Sequence, residues 1–268
     1  MGEGEVGLVR RHQGFENAGA GSTGRIMTML QPAWVLNRKA YGDSGLLIEL
    51  LTAESGRCSA VVRGAHRRKQ GGSLAALLQP FSPLLITLVG RGELRTLRAA
   101  ESPRPSYVLR GDALMSGLYV NELVNRVVPR FDPYPDVFIS YGESVEALSN
   151  GPSERTLRRF ELRLLSELGY RIDWFCDSEG DEIQPECTYR FEVGCGFCPV
   201  LVTEKAGAMG PVITGTQVIA VADWLAVGLA APTLDWTPIK QITRVALNQL
   251  TAGRTLHSRD IYRQLKKT

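Results

Sequence analysis

Long hydrophobic runs are missing from this sequence of 268 residues. No apolar stretch approaches the ~20 residues that a membrane-spanning helix needs. The N-terminus also lacks the apolar centre of a secretory signal, so a cytoplasmic protein with no membrane partner is expected. Cysteine is scarce and odd in number, at five. In a chain without an export signal, that count favours reduced thiols or metal ligands over a disulfide framework. There is no P-loop and no His-Glu-x-x-His helix, which excludes the usual nucleotide-hydrolysing and zinc-protease machinery.

Charge of one sign is nearly absent from the total, +3, but not from the regions. Residues 29–105 hold 11 Lys+Arg against 5 Asp+Glu, giving +6, and residues 106–192 hold 9 against 16, giving −7. Residues 193–268 return to +4, from 8 against 4. Such asymmetry points to one face for a polyanion and others for different partners.

Residues 1–28 are Gly-rich and without helical or strand periodicity, and are expected to be a disordered tail. Short β-rich runs follow at Ala33–Leu36, Gly45–Leu51, Cys58–Val62, Pro83–Val89 and Leu94–Ala99. Polar, Gly-containing turns at 52–56 and 90–93 separate two pairs of them. Five short strands within about seventy residues predict a small OB-type barrel over 29–105. Pro103 and Pro105 stiffen its exit. Helical spacing then runs through Ala113–Val128, Val137–Ser149, Glu154–Leu168, Gln217–Gly228 and Ile239–Leu250, with a last helix starting at Ser258. A Cys-containing segment at about 172–203 breaks the pattern. The fold class is therefore α+β, a barrel followed by a helical domain over 106–268 that carries a small irregular insertion.

The loop from Arg63 to Lys69 is the strongest binding signal. Arg63, His66, Arg67, Arg68 and Lys69 precede Gly71-Gly72, and Arg91, Arg95 and Arg98 lie on the neighbouring hairpin. Cationic barrel grooves hold single strands by their phosphates and add stacking on exposed aromatics. Only Trp34, Tyr41 and Phe81 offer aromatics here, and strand alternation means that Arg91, Arg95 and Arg98 need not share a face. Gly42-Asp-Ser-Gly45 has the composition of a serine-protease nucleophile segment, but its only upstream histidine is His12, so turn chemistry is the better reading. Gly90-Arg-Gly-Glu93 is likewise a hairpin turn, since no strand-then-helix follows it.

Cys176, Cys187, Cys195 and Cys198 are the candidate zinc ligands, but only Cys195 and Cys198 form a close pair of the kind that structural zinc sites use twice. Reduced thiols without a metal cofactor are expected. On the helix at 154–168, Arg155, Arg159 and Arg163 recur every fourth residue, with Arg158 beside the apolar face. A solvated face is the default, with Glu154–Arg158 and Arg163–Glu167 as surface ion pairs. The sharper reading is a guanidinium that grips the carboxylate of an acidic, hydrophobic peptide end.

Several segments together resemble the RecO family of bacterial recombination mediators. They are Arg63-Gly-Ala65, Leu78-Gln-Pro-Phe-Ser-Pro-Leu84, Gly90-Arg-Gly-Glu-Leu-Arg-Thr-Leu-Arg98 and Ser116-Gly-Leu-Tyr-Val-Asn-Glu-Leu123. Leu157-Arg-Arg-Phe-Glu-Leu162, Leu168-Gly-Tyr170 and Ser258-Arg-Asp-Ile-Tyr-Arg263 complete the set. The resemblance runs from about Met29 to the C-terminus. It implies an OB barrel, a helical domain with a zinc-ribbon-like insertion, and binding to single- and double-stranded DNA. It further implies annealing of strands coated with single-strand-binding protein, binding of that protein's C-terminal tail, and partnership with RecR to load RecA, without nucleotide consumption.

On this basis DNA binding falls to Arg63, His66, Arg67, Arg68, Lys69, Arg91, Arg95 and Arg98, and tail binding to Arg158, Arg159 and Phe160. The missing partner of Cys176 and the displaced Cys195 are similar to the branch of the family that kept the ribbon and lost the metal. A nucleoid-associated, non-enzymatic mediator is the expected function. A protein-interaction adaptor with incidental DNA contact is the alternative, and a metal-assisted nuclease is a more distant one.

Overall fold

The computed structural model describes residues 30–69, 72–200, 210–227 and 234–265, with the backbone alone at 68 and 69. The expected tail at 1–28, the end of the insertion at 201–203 and the expected helix end at Gly228 lie outside them. Strands β1 (Gln31–Tyr41), β2 (Gly45–Thr52) and β3 (Gly56–Val62) form a meander. A two-residue ribbon, β4 (Arg68–Lys69) with β5 (Gly72–Ser73), and a one-turn helix α1 (Leu74–Leu77) come next. Strands β6 (Pro83–Val89) and β7 (Leu94–Glu101) then complete a closed barrel in the order β1-β2-β3-β7-β6. All neighbours are antiparallel except β3 and β7, which run parallel. This Greek-key closure is the OB-type barrel that the five strand signals predict.

Alternation along β1 couples the barrel to the helical region. Ala33 and Val35 point into the barrel with Ile48, Leu50, Ala60 and Ile86. Trp34 and Leu36 point the other way and join the core of the helices. The helical region comprises α2 (Gly111–Val127), α3 (Pro135–Ser149), α4 (Glu154–Glu167), α5 (Gly215–Val227), α6 (Trp236–Leu250) and α7 (His257–Leu265). Two glycines let its helices approach the barrel closely. A Cβ at Gly117 would lie 2.9 Å from the Phe81 ring, and one at Gly142 would lie 3.3 Å from the Trp34 ring. Asn121 donates to the Leu36 carbonyl at 2.9 Å and accepts from the Tyr141 hydroxyl at 2.7 Å, so this buried amide is paired across the seam.

Ser153 caps α4 by accepting from the Thr156 amide, and Asp235 caps α6 by accepting from Thr237. Helix α7 is docked differently. The Glu122 carboxylate accepts from the amides of His257 and Ser258 at 2.9 and 2.8 Å and from the Ser258 hydroxyl at 2.8 Å. The insertion is a sheet of β8 (Thr188–Glu192), β9 (Gly196–Pro199) and β10 (Val212–Thr214) in the order β10-β8-β9. Phe197 is at its centre, with ring centroids 5.2 Å from Trp174, 5.5 Å from Phe191 and 6.5 Å from Tyr189. Among the described residues no helix is long and apolar enough to cross a membrane.

Candidate nucleic-acid interface

Strand β3 runs directly into the loop that carries Arg63 and Arg67. The loop is pinned on both sides: the Ala65 amide donates to the Ser44 carbonyl at 3.0 Å, and the Ala75 amide donates to the Ala65 carbonyl at 2.9 Å. Gly64, with φ +61°, supplies the left-handed residue that this turn requires. Arg38 braces the arrangement from β1 by donating to the Ala75 carbonyl at 2.7 Å. The result is a groove of about 680 Å³ whose walls include Tyr41, Asp43, Val61, Arg63, Arg67 and Leu94. Both arginines are exposed.

Not all of the expected cations meet there. Arg95 contributes to the groove wall, but its register partner is Ala60, an inward residue of β3, and its guanidinium stacks 5.4 Å from the centroid of the Phe131 ring. Its Nε is buried without a hydrogen-bond partner among the described residues. Arg98 is the extra residue of a β-bulge, where the pairing steps from Thr87↔Ala99 to Leu88↔Leu97, and it is exposed. Arg91, in the β6–β7 turn, and His66 are exposed but do not line the groove. The side chains of Arg68 and Lys69 lie outside the described residues.

A second concavity, of about 440 Å³, opens between α2, α4, α6 and α7, where Met115, Tyr119 and Leu157 meet Arg158, Lys240, Arg244, Arg259 and Arg263. Arg158 is only 3% exposed. It is paired with Glu161 at 2.6 Å and with Glu154 at 3.4 Å, and it donates to the Thr243 hydroxyl at 3.0 Å. Arg259 donates to the Tyr119 hydroxyl at 3.0 Å and lies 5.0 Å from the centre of that ring. Burial first, then the Glu161 charge, drives the Tyr119 phenol far above its ordinary pKa, so it stays protonated as a donor.

The expected peptide-binding trio is corrected by this geometry. Phe160 is 1% exposed and belongs to the helical core, so no ligand reaches it from solvent. Arg159, one residue from Arg158 and therefore about 100° around the helix, lines a different groove with Ile139, Phe175 and Leu225. Arg158 alone borders the cationic concavity. Its other cations come from α6 and α7, which the sequence signalled only as Lys240 and Arg244 four residues apart and as the segment Ser258–Arg263.

Two family models cover nearly all of the described chain: recombination protein O N terminal over residues 27–105, and recombination protein O C terminal over residues 109–260. The chain belongs to the RecO family. It is 40% identical to DNA repair protein RecO of Alkalilimnicola ehrlichii over 242 residues, which is 90% of this chain and 93% of that protein. With DNA repair protein RecO of Yersinia pestis it shares 37% identity over 238 residues, 87% of this chain and 94% of that one.

In this RecO chain the described insertion thiols do not gather into a group of three or more metal-ligating side chains. Cys187 and Cys195 are exposed, Cys176 and Cys198 are half-buried, and all four are free. Among the described residues no three His, Cys, Asp or Glu side chains converge, whereas structural zinc takes four donors at tetrahedral corners. The three strands are held by the aromatic cluster around Phe197, which lies between Cys195 and Cys198.

Proposed function

We propose that this chain is a non-enzymatic DNA repair and homologous recombination mediator of the cytoplasm and nucleoid. It binds single- and double-stranded DNA at the barrel, anneals complementary strands coated with single-strand-binding protein and, with RecR, promotes RecA loading. The observation that carries this reading is the convergence of Arg63 and Arg67 in one groove on the barrel of a RecO-family chain. Guanidinium groups neutralise phosphates and release condensed counterions, which gives affinity without sequence preference. Two strands held on one cationic surface repel each other less, so complementary bases meet without nucleotide hydrolysis. The names of the relatives, DNA repair proteins, support the same assignment.

The single-strand-binding protein tail belongs, in this reading, in the concavity between α2, α4, α6 and α7. Its apolar Met115 and Leu157 beside Lys240, Arg244 and Arg263 suit a peptide that ends in hydrophobic and acidic groups. That concavity also favours the second reading, an adaptor whose helical region recruits partners while DNA contact is incidental.

Annealing of complementary oligonucleotides precoated with cognate single-strand-binding protein, without nucleotide, separates the two. The mediator requires annealing by the native chain and its loss in the Arg63→Ala/Arg67→Ala variant. Failure of the native chain to anneal, with tail binding intact, establishes the adaptor. Magnesium-dependent cleavage of a labelled strand would overturn the non-enzymatic assignment.

A further inference from the structure

We propose that Tyr41 is a base-stacking residue that gives the groove its preference for unpaired strands, an inference that rests on the barrel groove being the DNA-contacting surface. Of the three aromatics in the barrel sequence, Trp34 and Phe81 are buried in the helical core, whereas Tyr41 is 48% exposed. It ends β1 opposite Gly45, and a Cβ on Gly45 would lie 2.6 Å from the Tyr41 carbonyl oxygen, so the turn is tight and the ring's base is fixed. The groove's other wall begins with Leu94, a large apolar side chain left 47% exposed at the start of β7.

The occupant that fits is a nucleotide of an unpaired strand. Its base has a flat apolar face for Tyr41 and Leu94, and its phosphate carries the negative charge that complements Arg63 and Arg67. Asp43, the carboxylate among the groove's lining residues, repels phosphate from the turn and so directs the backbone toward the arginines. A duplex keeps its base faces inside the stack but leaves its phosphates outside. The arginines therefore serve both forms of DNA, and Tyr41 serves only the unpaired one.

The test is equilibrium binding of an oligothymidine, an abasic sugar–phosphate strand of equal length and a duplex to the full chain and its variants. Tyr41→Ala is expected to weaken oligothymidine binding about 5- to 150-fold while changing abasic-strand and duplex binding less than about twofold, with Tyr41→Phe close to native. Arg63→Ala/Arg67→Ala is expected to weaken all three. If Tyr41→Ala weakens all three equally or none, while the arginine variant weakens all, the stacking role is overturned and the groove stands. If the arginine variant leaves all three unchanged, the groove itself is overturned and the Tyr41 role with it.

Discussion

The Tyr119 hydroxyl donates a 2.5 Å hydrogen bond to the carboxylate of Glu161, a residue with no solvent exposure. Because Arg158 pairs with the same carboxylate at 2.6 Å, a buried ion pair lies beneath the helical concavity, with Arg158 Nε and Glu161 Oε2 left without a hydrogen-bond partner among the described residues. Such a site contributes little net stability when intact but is costly to break, since the surviving charge is left buried. Glu161→Ala is therefore expected to destabilise the chain by about 3–5 kcal/mol, read as a lower urea midpoint at unchanged slope. A cost below about 1 kcal/mol would mean that water reaches Arg158.

Helix α7 spans only nine residues, too few to stand alone in water. Its docking depends on Glu122. Burial alone would raise the Glu122 carboxyl, but hydrogen bonds from Ser258 and His257 and the Arg126 charge outweigh it and hold the pKa below its ordinary 4.5. A depressed carboxylate contributes its stability fully above the unfolded value and loses it as pH falls through the folded one. Docking of α7 should accordingly be pH-independent above about 4.5 and weaken below it. At neutral pH, Glu122→Gln is expected to speed amide exchange in α7 and to weaken peptide binding in the helical concavity, while single-strand binding at the barrel persists. Unchanged exchange in α7 would refute the docking role.

For the insertion, hydrophobic packing and metal make opposite demands. Phe197→Ala removes the centre of the aromatic cluster and is expected to cost about 3–5 kcal/mol. Treatment with EDTA, then a thermal melt, is expected to leave the transition where it was. A large EDTA-dependent drop in melting temperature would restore the zinc ribbon.

Salt dependence counts the phosphate contacts. Each cation that neutralises a phosphate of a single strand contributes roughly 0.7 to the slope of log K against log salt. Removing Arg63 and Arg67 together should flatten that slope by about 1.4, and Arg95→Gln should leave it unchanged because the Arg95 guanidinium is stacked on Phe131. An Arg95→Gln slope that flattens by about 0.7 would place that guanidinium on DNA.

The barrel strands were legible because apolar runs of strand length alternate with Gly-containing turns, and the helices because their apolar residues recur at three and four. The ribbon β4–β5 and the helix α1 were not legible, since elements of two to four residues are shorter than any period that would reveal them. Phe160 shows a signal outweighed by resemblance. The spacing Leu157, Phe160, Leu164 that marks α4 also puts Phe160 on the apolar face, where the structure buries it. The helical concavity was illegible for another reason. Tyr119 and Arg259 meet across 140 residues of chain, and no local spacing records such a meeting.

Strand β1 gives alternate side chains to two cores, Val35 to one and Trp34 to the other. A rotation of the barrel against the helices would have to pull Trp34 from between Tyr107 and Tyr141. The shared strand thus ties the groove to the helical concavity, and if DNA and a peptide tail occupy them as proposed, the chain would act as a ruler that presents one at a set distance from the other.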